Sequence, residues 1–305
     1  MNRFCSSFAM SIALAGSTLV NEATRLRVAE LARSLNYTIN VGAQNLRLKQ
    51  NRTIAVVVPH DPATRQHLSD PFFLSLIGSL ADALTERGHD MLLTRVDAGR
   101  LDQAAQVWRT GRAMGIVLVG QWHHHDQLNA MAVQGVPFVV WGAQLQQQLY
   151  ATVGSDNVMG GRLATAHLIE QGARRILFLG DPELPEVGQR REGWRLALEA
   201  AGLKADPRLV RSVPFVAEAI VREVSALVRG RLAFDAVFCA SDLMAMTVIS
   251  TLRRHGLLVP DRVPVVGYDD MPLAAYCDPP LTTVAQPRFE IGREAMLLLL
   301  DQRIN

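Results

Sequence analysis

Residues 53–59 read "TIAVVVP", and this run decides the fold. A strand with one wet face alternates apolar and polar residues. A run that is apolar at every position, rich in β-branched side chains, belongs to a strand buried on both faces, as in parallel sheets. Pro59 is expected to end it. Comparable runs follow: "DMLLT" at 90–94, "GIVLV" at 115–119, "VPFVV" at 136–140, "RILFLG" at 175–180, "DAVFCA" at 235–240 and "VPVVGY" at 263–268. Between them the spacing turns helical. In "FFLSLIGSLADALTERG" the residues Phe73, Leu76, Ile77, Leu80 and Leu84 form one stripe that stops at Gly88. Segments 161–172 and 193–202 also end in glycine. Segment 241–256 opens with Ser241 or Asp242 as helix cap and ends at Gly256. Strand and helix therefore alternate twice over. The pattern predicts an α/β protein of two doubly wound parallel-sheet units, the second beginning near Ile176.

The composition agrees. A chain of 305 residues, 49% hydrophobic and 20% charged, suits about two ordinary domains with a large core. No apolar stretch reaches the roughly 18 residues that span a bilayer. Cys5, Cys239 and Cys277 form no CxxC pair, and their odd number argues against a disulfide framework. The charge is uneven. Residues 1–52 carry seven Arg or Lys against two Glu, a net of +5; the whole chain is at +2, which leaves −3 for the rest. A basic arm on a mildly acidic body fits a phosphate-binding head on a sensor, and equally a solvated basic helix.

In doubly wound sheets, ligands bind beyond the carboxyl ends of the strands. That rule selects His60 and Asp61, Trp141, Asp181, Asp242, and the group Tyr268, Asp269 and Asp270; Arg190 opens the helix after the 180s loop. Two such units face to face make a cleft of carboxylates, an arginine and aromatics, which suits a polyhydroxylated ligand. Each residue has a plainer reading: Asp242 as a helix cap, Asp269 and Asp270 as turn formers, Trp141 and Phe73 as core. No catalytic or metal site is expected, and no cofactor. The run His123–His125 places adjacent side chains apart rather than around one ion. Neither GxSxG nor HExxH occurs, and Gly154, Gly160 and Gly161 lack the lysine of a phosphate loop. Asp156 or Asn157 reads as a cap for the helix that follows.

In combination, these motifs resemble the lactose-repressor/galactose-repressor family of bacterial transcription regulators, over nearly the whole chain. The resemblance rests on "VGSDNVMGGRLATAHLIEQGARRILFLGD", "RREGWRLALEAAGL", "FCASDLMAM" and above all "VPVVGYDDMPLAAYCDPPLTTVAQP" at 263–287. It implies a periplasmic-binding-protein-like body and a helical DNA-binding head. The implied division is 1–50 for head and hinge helix, 51–158 plus 287–305 for the first effector subdomain, and 159–286 for the second. The implied effector contacts are Phe72, Phe73, Trp141, Arg190, Phe215, Asp242 and Asp269. Gly142 stands where family members often place an aspartate. The implied partners are operator DNA, a small carbohydrate effector and a second copy of the chain in a homodimer, with no membrane and a cytoplasmic location.

"STLVNEATRLRVAELARSLNYTIN" resembles the third helix of the family's head, and "NVGAQNLR" its hinge helix. The implied DNA contacts are Asn21 and Thr24 at phosphate, and Asn40, Ala43 and Leu46 in the hinge, where the leucine wedges between base steps. "CSSFAMSIALAG" aligns with the recognition helix and puts Ser7, Phe8 and Ser11 at groove positions; Ile12 replaces an arginine. The family's first helix and last strand have no counterpart, so the resemblance implies an incomplete helix-turn-helix, weakened DNA binding and an exposed sheet edge. The alternative is an exported periplasmic sugar-binding protein. Arg3, the apolar run Phe4–Ala15 and Ala13-Leu14-Ala15 would then form a signal peptide.

Overall fold

The structure, a computed structural model, describes residues 20–35, 51–62, 67–230 and 232–301. Two units emerge, Met1–Asn51 and Arg52–Asn305. In the first unit, the described residues form helix α1 (Glu22–Ser34).

The second unit holds two five-stranded parallel sheets. The first is built from β1 (Thr53–His60), β2 (Asp90–Asp97), β3 (Gly115–Val119), β4 (Phe138–Trp141) and β5 (Ala151–Val153), in the order β2-β1-β3-β4-β5. Helices α2 (Pro71–Glu86), α3 (Ala105–Arg109) and α4 (His125–Val133) connect them. Along β1, Ile54, Val56 and Val58 enter one apolar cluster, while Ala55 and Val57 enter another. Strict alternation of buried residues between two clusters is what an all-apolar run does when helices cover both faces. Pro59 does not end the strand: pairing with β2 continues to His60↔Asp97, whereas pairing with β3 stops at Val57↔Leu118. Beyond Val57 the strand is bonded on one side only, where a missing N–H is tolerated.

The second sheet contains β6 (Ile176–Leu179), β7 (Val210–Arg211), β8 (Ala236–Cys239), β9 (Val265–Asp269) and β10 (Thr282–Ala285), in the order β10-β9-β8-β6-β7. Its helices are α5 (Asn157–Glu170), α6 (Pro185–Ala200), α7 (Ala217–Arg229) and α8 (Asp242–Arg254). Both sheets have the same winding: the first strand of each lies second from one edge, beside the second, and the next crossover goes to its other side. Among the described residues the chain passes between lobes twice, through 154–156 and through 286–287. After the second passage α9 (Arg288–Asp301) packs on α2 and β3–β5, burying Ile291, Ala295 and Leu299 with Leu76 and Leu80.

Local chemistry explains the helix starts. Asp70 caps α2 by accepting from Phe72 N–H, ahead of Pro71 at the first position. Asp156 caps α5 through Met159 N–H at 2.8 Å, and Ser241, rather than Asp242, caps α8 through Met244 N–H. Arg190 does not open α6, which starts at Pro185 and so carries it in its second turn. No helix among the described residues is long and apolar enough to cross a membrane.

Candidate functional site

In each sheet the strand order reverses between the first strand and its later neighbour, β1 beside β3 and β6 beside β8. Loops at the carboxyl ends of strands diverge at such points and leave a crevice. Here the two crevices share one cleft. Asp70, Phe72 and Phe73 come from the segment after β1, Val119, Gly120 and Trp122 from the end of β3 and its loop, and Trp141 from the end of β4. From the second lobe come Leu184, Glu186, Val187 and Arg190 after β6, Phe215 after β7, Ser241 after β8, and Asp269 at the end of β9. These residues line one open cleft between the lobes.

Aromatic rings form the wall of the first lobe. Phe72 lies against Trp141 with centroids 4.9 Å apart and meets Phe73 edge-on at 5.9 Å. Phe73 is mostly committed to the core. Phe215 lies partly buried on the opposite lobe.

Arg190 dominates the second lobe. It is buried, and its guanidinium sits 3.7 Å above the Tyr268 ring. Its Nε donates to Asn157 Oδ1 at 2.9 Å, and Nη1 donates to the Ala240 carbonyl. A guanidinium has five N–H donors, so these two bonds fix its plane and leave capacity for a ligand. The backbone is held equally closely. A Cβ on Gly161 would stand 2.2 Å from the Arg190 carbonyl oxygen, so only glycine allows α5 to approach α6 this way.

Asp269 is buried at the cleft's inner end. The Gln286 side-chain amide donates to its Oδ1 at 2.7 Å. Burial pushes its carboxyl up to about 7; Arg190 pulls the other way and Asp242 adds to the rise. Gln286 Oε1 in turn accepts from Ser155 Oγ at 3.1 Å, and Ser155 Oγ meets Tyr268 Oη at 3.1 Å. One hydrogen-bond network thus joins both interlobe passages to the floor of the cleft. Asp269 and Asp270 also shape the turn, with φ of 122° and 53°; both of their plainer readings hold as geometry.

Asp242 departs from expectation. It is fully buried and is not part of the cleft wall. Its carboxylate accepts from Met271 N–H at 2.7 Å and from the Thr283 hydroxyl, and a Cβ on Gly267 would fall 2.3 Å from its Oδ1. The cap Ser241 takes the cleft-facing place. The next helical residue is rotated by about a quarter turn, which turns Asp242 toward β9 and β10. Asp181 accepts from Ser212 and from Glu183 N–H, outside the cleft wall.

The rule that selects Trp141 applies equally to Trp122, which follows β3 and also lines the cleft. Glu186, also in the wall, gives no signal in the sequence, because a glutamate in a helix's first turn is commonplace. Gly142 follows Trp141, and a Cβ there would lie 2.5 Å from Gln121 Oε1 and 3.0 Å from Glu186 Oε1. Gln121 cannot easily retreat: it is buried, accepts from Ala143 N–H at 2.9 Å and donates back to the Ala143 carbonyl. Gly142→Ala is therefore expected to destabilise the protein by about 1–3 kcal/mol through overpacking, read as a lower midpoint in urea unfolding with unchanged slope.

In the head, Asn21 Oδ1 accepts from Thr24 N–H at 2.9 Å, capping α1, and both residues are exposed. Ser7, Phe8, Ser11, Asn40, Ala43 and Leu46 lie outside the described residues. Cys239 and Cys277 are free thiols.

Two like-wound lobes closing on a cleft define a ligand-binding body of periplasmic-binding-protein type, and residues 165–304 match the periplasmic binding protein-like domain family. The HTH-type transcriptional regulator CelR of Thermobifida fusca is 35% identical over 291 residues, covering 94% of this chain and 85% of CelR. The HTH-type transcriptional repressor CytR of Escherichia coli K12 is 34% identical over 303 residues, covering 97% and 86%. The solved complex of transcriptional regulator CelR with cellobiose is 34% identical, with a TM-score of 0.72 over 96% of this chain and 88% of that one. The lac repressor dimer bound to operator and the anti-inducer ONPF has a TM-score of 0.83 at 22% identity, a likeness of fold alone. The chain belongs to the LacI family of HTH-type transcriptional regulators. It is a regulator of transcription and not an enzyme. The exported binding-protein alternative is overturned, since the matching relatives are transcriptional regulators along 94% and 97% of this chain.

Proposed function

We propose that the protein is a cytoplasmic, homodimeric repressor whose hold on operator DNA is set by a small carbohydrate bound in the cleft. The observation that carries this reading is the cleft itself: aromatic rings on one lobe face the fixed guanidinium of Arg190 and the carboxylate of Asp269 on the other. Flat rings cover apolar sugar faces, while charged groups bind hydroxyls in fixed directions. CelR, similar over almost the whole chain, has been solved with cellobiose. Phe72, Phe73, Trp141, Arg190, Phe215 and Asp269 are the proposed effector contacts. Asp242 takes a supporting part, holding the β9–β10 turn behind Asp269. The effector subdomains are proposed as 51–158 plus 287–305 and 159–286.

An effector that bridges both lobes favours one relative orientation. A hundredfold difference in its affinity for two orientations shifts their balance by about 2.7 kcal/mol. DNA contact is proposed through Asn21 and Thr24 at a helix N-terminus, and through Ser7, Phe8, Ser11, Asn40, Ala43 and Leu46. The test is a gel-shift titration of the full chain on a palindromic fragment from its own promoter region, with and without cellobiose and other neutral sugars. Binding that weakens steeply between 50 and 200 mM salt, roughly a thousandfold or more for six or more phosphate contacts, is expected, together with a change on adding a sugar. Absence of any shift at low salt would remove the DNA reading, and a shift indifferent to every sugar would remove the effector reading.

A further inference from the structure

A second groove runs along the surface of the second lobe, between α5 and α6, and shares no residue with the cleft wall. From α5 it takes Met159, Leu163, Ala166 and Ile169; Met159 is 46% and Leu163 58% exposed. Single exposed aliphatics are ordinary. These two lie one turn apart, beside Ala197, Ala200 and Ala201 of α6, so the apolar surface is continuous. The alanines are short and leave the surface low enough for another helix to approach.

Two charges frame this surface, Arg162 and Glu170. Both are exposed, and neither side chain has a hydrogen-bond or ion-pair partner among the described residues. The nearby charges of α6 serve each other: Arg195 pairs with Glu192 and Glu199. Arg162 and Glu170 stand two turns apart, about 12 Å along the helix, with Ala166 midway. Glu170 is the last residue of α5. The helix dipole disfavours an anion there, so the stability of α5 does not account for it.

The arrangement is its own complement. A two-fold axis through Ala166 lays α5 antiparallel on its copy, and residues equally far from Ala166 on either side then face each other. Arg162 meets Glu170 at both ends of the contact. Leu163 meets Ile169, and the two Ala166 side chains meet at the crossing. Each of these pairs is opposite in charge or apolar, as an isologous contact requires. The contact is small. Nine residues line the groove, against roughly 20–30 a side in a stable interface of standard size. Such a contact does not hold a permanent dimer together; it adds to one.

We propose that α5 and the adjoining face of α6 form a weak second contact between copies of this chain, antiparallel about Ala166, through which homodimers join one another. This goes beyond the homodimer reading and takes that dimer as its unit. The experiment is sedimentation velocity of the full chain at concentrations from about 5 to 200 μM, the range in which weak contacts populate. Species larger than the dimer are expected to grow with concentration. Arg162→Glu and Glu170→Arg each set like charges face to face at both ends of the contact, and each is expected to weaken this association by about tenfold or more. The two changes combined restore opposite charges and are expected to return it to within about threefold of the unaltered protein. Both positions are exposed, so the variants keep their fold, which circular dichroism checks. Three results would each overturn the proposal: no species beyond the dimer at the highest concentration, single reversals that leave the larger species unchanged, or a combined variant that fails to restore them. A reversal that splits the dimer itself would overturn it too, by placing this face inside the homodimer. A chain that stays monomeric throughout fails the homodimer reading, and this inference with it.

Discussion

Arg190→Ala is expected to abolish sugar-induced thermal stabilisation and to lower the stability of the unliganded protein by about 2–4 kcal/mol. The effect is large because the side chain has several duties at once. Its removal leaves the Ala240 carbonyl without this donor and Asn157 Oδ1 with the longer bond from Ser155 Oγ at 3.4 Å, and strips the cation from the Tyr268 ring. It also removes the only guanidinium that the described residues place in the cleft wall, the group able to grip a hydroxyl-rich ligand from the second lobe. Arg191, the next residue, is exposed and outside the wall, so Arg191→Ala should change stability by no more than about 0.5 kcal/mol. Differential scanning fluorimetry of both variants, with and without a sugar that stabilises the unaltered protein, decides the matter. Full stabilisation retained by Arg190→Ala would remove Arg190 from the site.

Asp269→Asn is expected to change how stability depends on pH. The folded protein holds the Asp269 carboxyl at about 7, above the ordinary value of 3.8, chiefly because it is buried. A carboxyl whose folded value is raised binds its proton more tightly in the folded state. Its contribution is fully present below about pH 4 and is lost as the pH rises through 7. A gap of this size corresponds to at most about 4 kcal/mol. Asn is neutral at every pH and can still accept from Gln286. Between pH 5 and 8.5 the unaltered protein should therefore lose stability relative to Asp269→Asn, most steeply around pH 5–6 and levelling off above about pH 7 to 8. Melting curves that run parallel across this range would show that Asp269 is not held protonated.

Much of this architecture is legible in the amino-acid order, for a definite reason. Strands buried on both faces must be apolar throughout, so "TIAVVVP" and "DAVFCA" stand out without any partner in view. The short strands do not. β5 spans three residues, β7 two, and neither forms a run that differs from a loop. The cleft is legible by position, since carboxyl ends of strands are easily found. Orientation is not. Ser241 and Asp242 are adjacent at the end of β8, and only the start of α8 determines that the serine faces the cleft while the aspartate turns to Met271 and Thr283. Likewise, Glu186 looks like any first-turn glutamate until Gly142 is found across from it.

The Ser155–Gln286 pairing has a mechanical consequence. Among the described residues the polypeptide crosses between lobes twice, and two independent tethers would let the lobes twist as well as open. Here the tethers are laced to each other, and through Gln286 and Tyr268 to the side chains that floor the cavity. A turn of one lobe must carry both crossings together, like a door on a single rod rather than two loose straps. Whatever grips Arg190 and Asp269 thereby acts on the rod as well as on the door.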